Sequence, residues 1–156
     1  GMFCALSYRE RYPKARVAIL ERGLFSSGAS TKNAGFACFG SLSELIDDTQ
    51  HMEAQALLDL VQLRIEGLTL LKKTLGESEI GFQSLGGYEL FFEEDPEAIK
   101  KIEEINTLLY PLFGQAVFQL NNSKIESFGF SKKQVHHLIE NPFEGQLNSG
   151  KMMRSS

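Results

Sequence analysis

Hydrophobic positions along this chain fall into two kinds of spacing, and each predicts its own elements. Between residues 54 and 75, Leu57, Leu60, Val61, Leu68, Leu71 and Leu75 recur every three or four residues. That is the signature of one long amphipathic helix, and Gly76 is a natural stop for it. Residues 2–12 predict a shorter helix with Phe3 and Leu6 on one side, Arg9, Glu10 and Arg11 outside, and Pro13 and Lys14 as terminators. "EDPEAIKKIEEINTLLYPLFG" predicts a third, with Asp95 as N-cap and Pro96 at its first position. "SLSE" at 41–44 has the spacing of a capping box, with Leu45 and Ile46 as early apolar positions of the helix it opens.

The strand signals are shorter. "RVAILE", residues 16–21, is an apolar run without alternation, as in strands of a buried parallel sheet. "IGFQSLGGYELFFE" (80–93) predicts two short strands around Gly86-Gly87, and 116–120 and 134–140 predict two more. "SKIESFGF" reads as a short helix or turn, and residues 24–40 as a Gly/Ser/Ala-rich loop with a short helical turn. A helix leading into an unalternating strand is half of a βαβ unit, whose first strand is not in the sequence. The closing "GKMMRSS" reads as the first turn of a helix. The expected organisation is α/β at the start and α+β in the middle, with both ends of the chain cut.

Composition narrows the partners. The 156 residues, 42% apolar and 23% charged, suffice for one modest domain with a real core. A net charge of −4 offers no basic field, so neither nucleic acid nor an anionic membrane is an expected partner. No apolar run is long enough to span a bilayer, and residues 1–13 turn charged too early for a signal peptide. Cys4 and Cys38 match neither a metal spacing nor a disulfide framework, so a cytoplasmic setting is expected.

The candidate chemistry is concentrated in "ARVAILERGLFSSGASTKNAGF", residues 15–36. An acid at a strand end, here Glu21, can accept two hydrogen bonds from the vicinal hydroxyls of a ribose, although a solvated Glu at that place is as common. "GASTKNAGF" (28–36) offers small residues that admit a ligand close to the backbone, with Ser30, Thr31 and Asn33 as hydrogen-bonding side chains. A flexible loop has the same composition.

Strand, acid, Arg-Gly and this loop together resemble the flavin-dependent amine oxidoreductases of the D-amino-acid oxidase and glycine oxidase type. "GGYELFF" resembles a strand of that family's substrate domain. "NPFEGQLNSGKMMRS" resembles the segment returning to its nucleotide-binding domain. The resemblance implies a partial Rossmann-like FAD-binding unit over 1–50, joined to an antiparallel substrate-domain-like sheet with helices over 51–140, and a truncated return over 141–156. It further implies FAD as cofactor and a small amine or amino acid as substrate, oxidised by hydride transfer to the flavin. Glu21 would bind the adenosine ribose and Arg22 would lie near the adenine. Ser30, Thr31 and Asn33 would follow the pyrophosphate and ribityl chain, and Ala34, Gly35 and Phe36 would approach the isoalloxazine. No residue is marked as catalytic.

The family's Gly-x-Gly-x-x-Gly turn, which seats the pyrophosphate on a helix N-terminus, is not in this sequence; at most Gly1 stands at its last glycine, and Gly1 is equally a residue left by cloning. The chain is therefore expected to be an internal fragment of a flavoprotein, inactive in this form and without retained FAD. The rival reading is a non-catalytic binding or self-assembly module derived from such an enzyme. Either way, an unpaired strand at 16–21 would present Val17, Ile19 and Leu20 for self-association.

Other chemistry is less favoured. His136 and His137 are neighbours on an expected strand, so they would point to opposite faces rather than share a metal. Glu93, Glu94, Asp95 and Glu97 read as a solvated helix start rather than a calcium loop. Phe36, Phe39, Phe91 and Phe92 suit a core more often than a flavin pocket.

Overall fold

The computed structural model describes residues 1–20, 22–23 and 28–155. Helix α1 covers Met2–Arg11 and α2 is a single turn over Ala29–Lys32. Strand β1 (Phe36–Ala37) precedes α3 (Leu42–His51) and the long α4 (Ala54–Leu75). Strand β2 (Gly87–Phe91), α5 (Pro96–Phe113) and β3 (Gln119–Leu120) follow. The chain closes with α6 (Lys124–Ser127), β4 (His137–Asn141), β5 (Gly145–Gln146) and α7 (Ser149–Ser155).

The helix boundaries follow their caps. Ser41 accepts a hydrogen bond from the Glu44 N–H at the start of α3. Asp95 accepts from the Ala98 N–H at 2.9 Å, with Pro96 at the first position of α5. Gly76 ends α4 at φ +85° and Gly114 ends α5 in the left-handed region.

Two small antiparallel sheets organise the rest. One has the order β2-β4-β3, with Gly87 opposite Asn141 and Phe91 opposite His137 on one side of β4, and Gln119 opposite Glu140 on the other. The second pairs β1 with β5, Phe36 opposite Gln146 and Ala37 opposite Gly145. Successive side chains of β4 point to opposite faces, and each face has its own core. Ile139 joins the main cluster with Leu42 and Leu45 of α3, Leu57 and Val61 of α4, Ile105 and Leu109 of α5, and Val117 and Phe118. Leu138 joins a smaller cluster with Ile125 and Val135. The result is a mixed structure of helices and small sheets.

Four of the strand expectations differ. Residues 15–20 carry no regular secondary structure. A parallel strand is satisfied only by ladders from its neighbours, and no described strand pairs with this segment. Glu21, at its end, lies outside the described residues. The expected hairpin around Gly86-Gly87 does not form either. Gln83 pairs with Gln146 of β5, whereas 87–91 pair with β4. Gly86, at φ +77° and donating its N–H to the Glu144 carbonyl at 2.9 Å, is the corner that diverts the chain from one sheet to the other. The expected strand 116–120 shrinks to two residues because Asn106 of α5 claims its backbone. Its Oδ1 accepts from the Val117 and Phe118 N–H groups at 2.9 and 2.8 Å, and its Nδ2 donates to the Phe118 carbonyl at 2.9 Å. The last strand starts at His137 because residues 131–135 close a turn, with the Gln134 and Val135 N–H groups both donating to the Ser131 carbonyl.

Candidate functional site

The segment from Gly28 to Gly40 is fixed mainly by its own backbone. In α2 the Thr31 hydroxyl donates to the Gly28 carbonyl at 2.8 Å, so this side chain is spent on a local cap. Asn33 Oδ1 accepts from the Gly35 N–H at 3.0 Å, and the Asn33 carbonyl accepts from Ser149 Oγ at 3.4 Å. Gly35 then turns at φ +83°, where a Cβ would stand 2.2 Å from the Leu147 carbonyl oxygen. Only glycine fits there, since both the backbone angle and the approach exclude a side chain. The Gly35 carbonyl accepts from the Leu147 N–H at 2.8 Å, which starts the β1–β5 pairing. Further on, the Phe39 peptide is held from both sides. Its N–H donates to Glu144 Oε1 at 3.3 Å, and its carbonyl accepts from Arg64 Nη1 at 2.8 Å.

This segment forms one wall of a cleft of about 670 Å³. Asn33, Ala34, Gly35 and Phe36 line it, continued by Ala37 and Cys38. The opposite wall is the face of α4 bearing Arg64, Gly67, Leu68 and Leu71, with Leu147, Met152 and Phe3 closing the ends. Helical spacing puts 64, 67, 68 and 71 on one stripe. Gly67 is a cradle in this wall: a Cβ there would meet nothing within 4 Å. A glycine inside a helix costs about 1 kcal/mol relative to alanine, and here it keeps the cleft open where a side chain would begin to fill it. The lining is mainly apolar, and its one charged group, Arg64, is held 2.9 Å from Glu44.

Two titrating groups flank the wall. Desolvation pushes the half-buried Glu144 carboxyl up to about 7; the Phe39 and Gly40 N–H groups pull it down, and Glu44 and Glu89 raise it further. The Cys38 thiol is also raised, first by desolvation and then by the charges of Glu144 and Glu44. It remains a neutral thiol at pH 7, which argues against a nucleophilic role.

Four of the eight expected site residues, Asn33, Ala34, Gly35 and Phe36, thus meet at one cleft. Ser30 and Thr31 lie in α2, Thr31 away from the lining; Arg22 is exposed, and Glu21 is outside the described residues. Sequence reasoning missed Arg64, Gly67 and Glu144. Gly67 carried a usable signal, being a glycine in the middle of a strong helix pattern; Arg64 and Glu144 carried none. His136 and His137 are both half-buried, and among the described residues no group of His, Cys, Asp or Glu could hold a metal ion. A larger apolar groove, about 960 Å³, runs between α5 and β3 past Ile99, Ile102, Tyr110 and Leu120, and shares no residue with the 28–38 segment. No described helix is long and apolar enough to cross a membrane.

Comparison with protein families identifies the chain's family without addressing this cleft. The description of the FAD dependent oxidoreductase family matches residues 1–155, and the chain belongs to that family. Neither the curated proteins nor the solved structures gave a match.

Proposed function

We propose that this chain is the part of an FAD-dependent amine or amino-acid oxidoreductase that presents the flavin-facing loop and the first portion of the substrate domain. The observation that carries the reading is the wall at Ala34–Phe36, turned by Gly35 against Leu147 and facing the Gly67 cradle across an apolar cleft. These residues suit an isoalloxazine: a flat ring needs two close apolar walls and backbone groups at its edge, and a side chain at either glycine would narrow the gap. When bound, the flavin would supply the hydride acceptor. The chain's own residues would hold the ring and exclude water. In this reading Asn33 lies towards the ribityl chain, Glu21 and Arg22 serve the adenosine end, and residues 1–50 and 51–140 belong to the cofactor and substrate portions.

The 156 residues contain no Gly-x-Gly-x-x-Gly, so the pyrophosphate has no backbone cradle and this chain does not retain FAD. Titration with lumiflavin and with FAD, followed by flavin fluorescence, tests both parts. The expected result is weak binding of comparable affinity for the two, because without a seat for the pyrophosphate the adenosine end is not delivered to Glu21 and Arg22. Gly67→Trp, which fills the cleft from a position with open space, should abolish both. FAD that survives extensive dialysis would overturn non-retention, and failure of lumiflavin to bind would overturn the ring site.

A further inference from the structure

One face of the β2–β4 pair carries a small polar cavity that shares no residue with the cleft. Residues two apart on a strand point to the same side, so Asn141 stands on the side of Ile139, a member of the main core. Gly87 is opposite Asn141 and Glu89 opposite Ile139, which puts all four positions on that face. The Glu144 side chain lies over it, since a Cβ on Gly87 would stand 2.0 Å from Glu144 Oε2. The cavity measures about 50 Å³ and has Asn141, Glu144 and Glu89 in its polar lining, over Phe118 and Ile139. Asn141 is only 3% exposed. Its Oδ1 accepts the Phe143 N–H at 3.0 Å, which settles which end of the amide is the nitrogen. Its Nδ2 is buried and has no hydrogen-bond partner among the described residues.

We propose that this cavity binds one ordered water, which accepts from Asn141 Nδ2 and donates to the Glu144 carboxyl. Unpaired donors buried to this degree are rare in folded proteins, and bound water is the usual partner where protein atoms are out of reach. The size fits. A water takes about 30 Å³ in the liquid, so a cavity of about 50 Å³ admits one and not two. The polar groups also select the occupant. Two acids alone would suit a cation, but here a cation would face the Nδ2 donor. Both Glu89 oxygens are already taken by Ser43, Oε1 by its hydroxyl and Oε2 by its N–H. The occupant must therefore accept one hydrogen bond and donate another, which water does and a metal ion does not. A carboxyl of either charge keeps a lone pair for it. Seated there, the water joins the last residue of β4 to the carboxyl that accepts the Phe39 N–H, and so ties the β2–β4 sheet to the chain following β1.

Water–protein NOE spectroscopy of the intact chain reads the site directly. Cross-peaks from the Asn141 side-chain amide protons to a slowly exchanging water are expected. A high-resolution crystal structure should place its oxygen about 2.7–3.2 Å from Asn141 Nδ2 and about 2.5–3.0 Å from a Glu144 oxygen. Asn141→Leu, similar in outline but without the donor, should lose that water; the wild-type readouts decide even where this variant fails to fold. Exchanging sodium chloride for choline chloride at equal ionic strength should leave the melting temperature unchanged. Asn141 amide protons without a water contact, or an Nδ2 that donates to a protein oxygen instead, would overturn the proposal. So would retention of the water in a folded Asn141→Leu. Stabilisation by sodium or potassium that Glu144→Gln abolishes would also overturn it, because it would put a cation in the cavity.

Discussion

At the residue scale, two glycines and one acid shape the cleft through what they leave out or let in. Gly35 is the clearest. Its φ of +83° and the Leu147 carbonyl 2.2 Å from a would-be Cβ reject any side chain. Gly35→Ala should therefore lose at least roughly 2 kcal/mol of stability, the left-handed backbone and the displaced Leu147 contact adding together. Urea unfolding would show this as a lowered midpoint, and an unchanged midpoint would mean that the β1–β5 pairing is not under this constraint. Gly87 does the converse for Glu144, leaving room for a carboxylate oxygen rather than for backbone.

At the scale of elements, α5 does more than cover the sheet. Its buried side, Ala98, Ile105 and Leu109, packs into the core, while Asn106 reaches out to hold the chain at 117–118 in place of a strand ladder. This one side chain satisfies three backbone groups that burial would otherwise leave unpaired. Asn106→Ala should cost on the order of 2–4 kcal/mol, since each orphaned group carries its own desolvation penalty. Asn106→Asp keeps only the acceptor and should fall in between. Equal denaturation midpoints for the wild type and the alanine variant would show that water replaces the clamp at no cost. Strand β4 is the other organising element, because its alternation sends Leu138 and Ile139 to separate cores.

For the molecule as a whole, the N-terminal part is the least anchored by packing. None of the α1 residues is buried, and in the segment that follows Ile19 is 60% and Leu20 92% exposed. We propose that residues 16–21 mediate self-association. In the described part of that segment, 16–20, the apolar side chains, rather than a strand edge, drive it. Burying such side chains is worth roughly 1.5–3 kcal/mol each, against an association cost of about 4–15 kcal/mol, so the contact needs neighbouring apolar surface as well. Ile19→Lys should shift the dimer to monomer in light scattering at tens of micromolar, with the melting temperature becoming independent of concentration. A wild-type chain that is monomeric at that concentration would refute the proposal.

Local signals sufficed wherever an element's stability is mostly local. The Leu57 to Leu75 stripe and the caps at Ser41, Gly76 and Asp95 placed α3, α4 and α5 from sequence, because helix hydrogen bonds and caps close within a few residues. The "NAGF" loop was legible as a candidate site for a similar reason: its chemistry lies in one contiguous run. What the sequence could not show was pairing. "RVAILE" has the composition of a strand, yet its described residues have no ladder, and the half-strand before Gly86 pairs with β5 instead of its neighbour. Ladders join residues far apart, so apolar composition alone leaves their partners undetermined. The cleft was decided in the same way. Arg64 and Glu144 carry no motif, and they reach the carbonyl and the N–H of Phe39 only because tertiary packing brings α4 and the β4–β5 turn to the two sides of that residue.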